Sequence, residues 1–190
     1  MTGPVPTQIP AGATAAGDGI VLSEGPVIVD AYIDFQCPFC RAFELSSGRP
    51  LAAMAAEGAI TLIYHPMSFL DAASTTRYSS RAGSAAGCAA DRNMFLEYAY
   101  LLFENQPPEG GPGLTDAQLA ALGAEVGLTD PGFESCVLGR RYLDWPPYVT
   151  EVALARGVEA APAVLVDGTP VPADARAIAA AAGIGHRSRG

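Results

Sequence analysis

The order of elements along this chain predicts an α/β fold in which a helical insert interrupts a single sheet. Three observations carry that prediction. Apolar runs at Val27–Phe35 and Ile60–Tyr64 enclose a helical pattern, which together make a βαβ unit with parallel strands. Residues 74–157 then hold mainly helix signals broken by loops. Beyond them, Ala163–Val166 and Pro170–Val171 flank Asp167-Gly168, a hairpin signal, and a last helical stretch follows.

Each element has its own local reason. Residues 20–22 form a short first strand, and Gly25-Pro26 turns the chain into Val27–Phe35, a buried strand by its β-branched and aromatic content. From Pro38 to about Glu57 the pattern is helical. Pro38 suits a first turn, where a missing N–H has no helical partner in any case, and Gly58 ends the helix. Ile60–Tyr64 is the next strand, stopped at His65-Pro66.

In the insert, Ser79–Glu104 reads as one long helix, with Phe95, Tyr98, Leu101 and Leu102 at three- and four-residue steps. Residues 105–113 are too rich in Pro and Gly for helix and form a loop. Thr115 caps a helix with Gln118 three residues on, Asp130-Pro131 starts another, and Pro146-Pro147 begins a last one that ends near Gly157. Ala173–Ala182 closes the fold. A βαβ and a ββα unit on one sheet make a thioredoxin-like plan. The boundaries read as a flexible linker over 1–19, a sheet domain from 20–70 and 158–183, an inserted helical domain over 71–157, and a flexible tail over 184–190.

Composition narrows the function classes. With 190 residues, 49 % of them hydrophobic and 16 % charged, the chain can bury a real core. A net charge of −9 and a pI near 4.5 argue against nucleic-acid binding, which needs basic patches. Residues 1–40 contain no Lys or Arg, so no charged region of a signal peptide is legible, and no apolar run reaches the ~18 residues of a membrane helix. The protein is therefore either cytoplasmic or has lost an export signal or anchor. An even count of four cysteines leans towards an oxidising compartment, so an extracytoplasmic location is expected, secreted, wall-bound or membrane-anchored.

Cys37-Pro38-Phe39-Cys40 carries the chemistry. A strand that delivers two cysteines, three residues apart, onto the first turn of a helix puts one thiol among unpaired backbone N–H groups. Those groups favour thiolate, the nucleophile of disulfide exchange, and the second cysteine can resolve the mixed disulfide. Cys88 and Cys136 remain; they either close a bridge between two insert helices or pack as separate buried thiols. A bridge over their 48-residue separation would be worth roughly 4 kcal/mol. A zinc site built from all four cysteines fits poorly, because such sites favour two local pairs.

The stretch Asp34-Phe35-Gln36-Cys37-Pro38-Phe39-Cys40 resembles the DsbA-like branch of the thioredoxin superfamily, in particular its actinobacterial members. Ala161-Pro162-Ala163-Val164-Leu165-Val166-Asp167-Gly168 is similar to that family's cis-proline loop and hairpin. Ala85–Ala89, Phe95–Tyr98 and Leu102-Phe103 resemble its insert. The resemblance covers roughly residues 20–182. It implies a thiol–disulfide oxidoreductase oxidising cysteine pairs of exported proteins, with Cys37 attacking, Cys40 resolving, and no metal or cofactor. It also implies that Pro162 faces the disulfide and that Ala161 offers its backbone to an extended substrate beside Phe39. The expected partners are reduced or unfolded proteins and a membrane enzyme that reoxidises the pair; the expected state is a monomer.

Three departures from the family pattern matter. Many relatives carry a buried acid six residues before the first cysteine, where this chain has Ala31. If the strand alternates faces, Asp30 and Asp34 point away from that position. Pro-Phe between the cysteines lacks a histidine, and Ala161 replaces a larger residue. The expected reduction potential is therefore moderate, roughly −150 to −230 mV, between thioredoxin at about −270 mV and DsbA at about −120 mV.

Bland readings stand beside these. Phe39, Met67 and Phe69 either line a peptide groove or pack in the core; His65 reads as a local structural residue, His186 as part of the tail, and Trp145 as an anchor between helices. Other functions also stay open: an isomerase or reductase, a low-molecular-weight-thiol-dependent transferase or isomerase, and a non-catalytic module held by its cysteines.

Overall fold

The computed structural model describes residues 5–184. Its elements run in the order β1 (Ile20–Val21), β2 (Ile28–Ile33), α1 (Pro38–Phe43), a π-helical turn (Glu44–Gly48), α2 (Arg49–Ala56), β3 (Thr61–Pro66) and a 3-10 turn (Phe69–Ala73). Five helices follow, α3 (Tyr78–Ala90), α4 (Phe95–Glu104), α5 (Asp116–Glu125), α6 (Pro131–Leu138) and α7 (Trp145–Ala155), and then β4 (Ala163–Val166), β5 (Thr169–Val171) and α8 (Ala175–Ala181). The sheet order is β1-β3-β2-β4-β5. Among the described residues β2 and β3 pair parallel, as a helical crossover requires, and the other pairs are antiparallel. Asp167 and Gly168 take positive φ, 46° and 78°, in the turn between β4 and β5. The outermost strand, β5, carries Pro170 opposite Leu165.

The sheet has two differently dressed faces. Ala31 lies level with Tyr64 on one side and Val164 on the other, and the Tyr64 hydroxyl donates to Glu44 at 2.8 Å, so the first helix covers this face. Tyr32 lies level with His65 on the opposite face, where their rings stack with centroids 4.2 Å apart. His65 Nδ1 meets the Asp18 carbonyl at 2.7 Å and Nε2 meets Asp30 at 2.9 Å. Both ring nitrogens are engaged in structure.

The first helix is not uniform. It loosens into a π turn at Glu44–Gly48, just ahead of Pro50, which has no N–H to give the helix ladder, and Glu44 lies on the buried stripe with Cys40, Phe43 and Leu51. Gly48 makes room for it; a Cβ there would lie 2.4 Å from Glu44 Oε1. The long helix expected over Ser79–Glu104 is two helices, separated at Asp91–Met94, where Asn93 adopts a left-handed φ of 55°. Tyr78–Ala90 is buried on every side, and its Ala, Gly and Ser residues let α4, α5, α6 and α7 all pack against it. Cys88 of α3 and Cys136 of α6 are bonded, with S–S 2.04 Å and Cα–Cα 5.9 Å.

The leader also departs from the linker expected over residues 1–19. Within residues 5–19, Trp145 donates its indole N–H to the Gly17 carbonyl at 2.8 Å and Tyr148 donates to Ala16 at 2.8 Å. Asp18 is buried, accepting from Thr14 Oγ1 and from Arg156. Thr/Gly/Ala composition predicts a free segment, but one acid and two carbonyls tie it to α7 and its C-cap Arg156, and the Ala11 N–H donates to Asp91 at 3.0 Å. His186 lies outside the described residues.

Candidate active site

The site is built by the turn that leaves β2. The Cys37 N–H donates to the Asp34 carbonyl at 3.0 Å, closing a four-residue turn that aims residue 37 at the start of α1. Cys37 is the N-cap, in extended conformation, and Pro38 takes the first helical position. Cys40, one turn on, is fully buried, whereas Cys37 keeps 7 % exposure. Both are thiols in this structure.

Their electrostatics differ sharply. The Cys37 thiol is drawn down to about 7, first by a hydrogen bond from Cys40, against desolvation, with help from the backbone N–H groups of Cys40 and Phe39. Cys40 is pushed far up, chiefly by burial, then by its bond to the Cys37 sulfur. One sulfur is poised to be a thiolate at neutral pH and the other to hold its proton. That asymmetry suits attack by the first and slow resolution by the second.

Across the turn, the Cys37 thiol donates to the Ala161 carbonyl at 3.4 Å, and the Ala161–Pro162 peptide bond is cis. Ala161 leads directly into Ala163 of β4, which pairs with Tyr32. Phe39 stands beside the pair at 75 % exposure, an uncommon position for a phenyl ring. Met67 does not join it. It is fully buried, because its N–H continues the ladder to the Ile33 carbonyl at 2.7 Å and its side chain stays in the core; Phe69 is partly buried against that core.

Two buried acids lie near the site. Asp34 lies beyond the end of β2, so the two-residue period no longer governs it. It is fully buried, accepting from the amides of Gln36 at 2.9 Å and Leu70 at 3.0 Å and from the Ser79 hydroxyl at 2.7 Å. Burial pushes its carboxyl up to about 6 against those bonds. Its charge in turn raises both cysteine thiols. Glu44 is the second, raised by burial against its bond from Tyr64. It follows Cys40 by four residues on the same helix face, a spacing legible in the sequence.

The loop between α4 and α5 completes the surroundings. Gln106 Nε2 donates to the Phe35 and Cys37 carbonyls, both at 3.0 Å, and the Gly110 amide donates to Gln36 Oε1 at 3.0 Å. Nothing in the sequence marked Gln106, since a glutamine in a Pro/Gly loop has no distinctive pattern. The Cys88–Cys136 bond removes two of the four cysteines from any metal site.

Known proteins fit this geometry. A family model described as thioredoxin matches residues 20–181. The oxidised DsbA of Mycobacterium tuberculosis superposes with a TM-score of 0.66 at 34 % identity, over 76 % of this chain and 74 % of that one. The reduced disulfide bond oxidoreductase DsbG of Mycobacterium tuberculosis gives a TM-score of 0.71 at 32 % identity, over 81 % and 80 %. Among curated relatives, the serine/threonine-protein kinase PknE of Mycobacterium tuberculosis is 32 % identical over 129 residues, 63 % of this chain. The chain spans only 23 % of the kinase's length, so kinase activity does not carry over.

Proposed function

The chain belongs to the thioredoxin family and stands among its DsbA-type thiol–disulfide oxidoreductases, and from that premise we propose that it oxidises cysteine pairs of exported proteins through Cys37 and Cys40. A substrate thiolate attacks Cys37 Sγ of the disulfide form, the Cys37–Cys40 bond breaks, and Cys40 leaves and takes up a proton. The second substrate thiolate then attacks the substrate sulfur of the mixed disulfide, and Cys37 leaves as thiolate. Two electrons pass from the substrate dithiol to the cysteine pair, and a partner must later remove them.

The single observation that carries this reading is the asymmetric pair itself: a slightly exposed Cys37 at a helix N-terminus, lowered to about 7, with a fully buried Cys40 one turn behind. A good leaving thiolate at Cys37 favours donation of the disulfide over its retention. The backbone at Ala161, whose carbonyl lies 3.4 Å from the sulfur just ahead of β4, is the natural place for a substrate strand to pair, with Phe39 offering apolar contact alongside. An extracytoplasmic location is supported by the Cys88–Cys136 disulfide, which reducing compartments do not favour. Among the described residues no helix is long and apolar enough to cross a membrane.

The test is disulfide transfer. Oxidised protein mixed with a reduced, unfolded dithiol protein should oxidise it stoichiometrically, and Cys37→Ser should abolish transfer; Cys40→Ala, which has no disulfide to donate, should trap a mixed disulfide when its Cys37 thiolate attacks a disulfide-bonded substrate. Full turnover by Cys40→Ala with a small thiol would favour a transferase instead. Activity surviving in Cys37→Ser would overturn the assignment.

A further inference from the structure

Every residue of the turn that carries Cys37 is hydrogen-bonded to the helices and loop inserted between β3 and β4. Asp34 accepts from Ser79, Gln36 is held by Ser79 and Gly110, and the carbonyls of Phe35 and Cys37 share one donor, the carboxamide of Gln106. The tie is reciprocal, since Arg41 of α1 donates back to the Phe103 carbonyl at the end of α4, at 2.9 Å.

We infer that Gln106 is a positioning residue for the Cys37 thiolate, fixing from the inserted loop the peptide plane on which the reactive sulfur's helix begins. The inference rests on Cys37 being the reactive sulfur of the proposed oxidoreductase. Geometry supplies the argument. The Cys37 carbonyl is also the first acceptor of α1, taking the Arg41 N–H at 3.1 Å. Its direction therefore sets the orientation of the first helical turn, including the Phe39 and Cys40 amides that stabilise the thiolate. A carbonyl has two lone pairs, so it can accept from the helix and from Gln106 together.

The residue type is matched to the task. A primary amide brings two N–H groups on one nitrogen, enough for two carbonyls 3.0 Å away, and carries no charge. Methionine has the length but no donor. Glutamate has the shape, but once ionised it turns acceptors and a negative charge towards two carbonyl oxygens and the neighbouring sulfur.

The experiment uses the full chain with its Cys88–Cys136 bond intact and Cys37–Cys40 reduced, in the variants Gln106→Met, Gln106→Glu and Gln106→Asn. Thiolate absorbance is titrated against pH, and the equilibrium constant with glutathione is measured in the same samples. In Gln106→Met the thiolate fraction at pH 7 should fall at least threefold, and the glutathione equilibrium at that pH should move towards the disulfide by a smaller factor, roughly 1.5- to 2-fold, because the thiol half of the reduced form is unaffected. Gln106→Glu should fall further once its own carboxyl has ionised, and Gln106→Asn, long enough for one carbonyl, should lie between wild type and Met. A lowered melting temperature with unmoved titration and equilibrium across the variants that fold would make Gln106 a structural residue only and overturn the inference. Should Met or Glu fail to fold, an Asn variant with a wild-type titration would overturn it alone. Failure of wild-type protein to transfer disulfides, with the titration still shifting, would instead strike the proposed function and leave the positioning intact.

Discussion

The backbone amide of Asp34 donates to the sulfur of Cys40 at 3.4 Å, so the residue that begins the reactive turn touches the thiol that ends its chemistry. The same residue carries a buried carboxyl raised to about 6.

Because that pKa lies above the ordinary 3.8, the folded state holds an extra proton between those values. The sign follows: this group leaves stability intact below about pH 4 and removes it as pH rises through 6, by about 3 kcal/mol in all. Asp34→Asn should flatten that stretch of the stability profile. Urea unfolding of both proteins from pH 4 to 7, with Cys37 and Cys40 held as thiols, reads the difference directly. Parallel profiles would show that the carboxyl does not titrate there.

The cysteines should titrate as unlike partners. Thiolate absorbance is expected to rise in one step near pH 7, and alkylation at pH 6 should mark Cys37 while leaving Cys40 untouched. Two steps of equal size below pH 9 would contradict the burial of Cys40.

The insert's disulfide should matter to stability and hardly at all to exchange. Replacing Cys88 and Cys136 with alanine is expected to cost up to about 4 kcal/mol in denaturant unfolding, from the 48-residue loop it closes. Transfer through Cys37 should stay within about twofold, provided the assay temperature lies below the new transition. A non-reduced digest of the native protein should yield one peptide pair holding both residues.

Asp18 predicts a different kind of loss. It is buried between Thr14, Arg156 and the neighbourhood of His65, so Asp18→Ala strands several donors and should destabilise by about 1–3 kcal/mol. Limited proteolysis should then cut within residues 5–17 faster than in the native protein. Unchanged cleavage would mean that the remaining ties, from Trp145 and Tyr148 and from Ala11 to Asp91, hold the strap without it.

The potential remains a direct measure of the proposed role. A lowered Cys37 favours the reduced form and an oxidising protein, while the Asp34 charge acts in the opposite direction. The value is expected at roughly −150 to −230 mV in glutathione equilibration. A value near −270 mV would indicate a reductase.

Much of the architecture could be read from pattern because local and tertiary signals agree. Thr115 with Gln118 forms the full capping box, Asp130 caps α6 ahead of Pro131, and Asp167-Gly168 turns the hairpin. The misreadings have physical sources. Asn93 broke a helix that periodicity alone would continue, since a single left-handed residue leaves no periodic trace. Asp34 lies one residue past the strand, where alternation no longer fixes a side chain's direction. Gln106 and the leader act through side-chain reach to distant carbonyls, which no spacing rule encodes.

Pro170 gives the sheet a direction of approach. It sits on the outer strand and has no N–H to offer a newcomer, so that border of the molecule resists lengthening by a foreign strand. In the proposed role the protein meets extended substrate segments, and a bare sheet edge would invite them to pair in the wrong place. Closing one border leaves the stretch at Ala161, beside the reactive sulfur, as the more hospitable landing place. Pro170, two strands away from the one that leads into Cys37, would thus steer a substrate segment away from a border where no chemistry can release it.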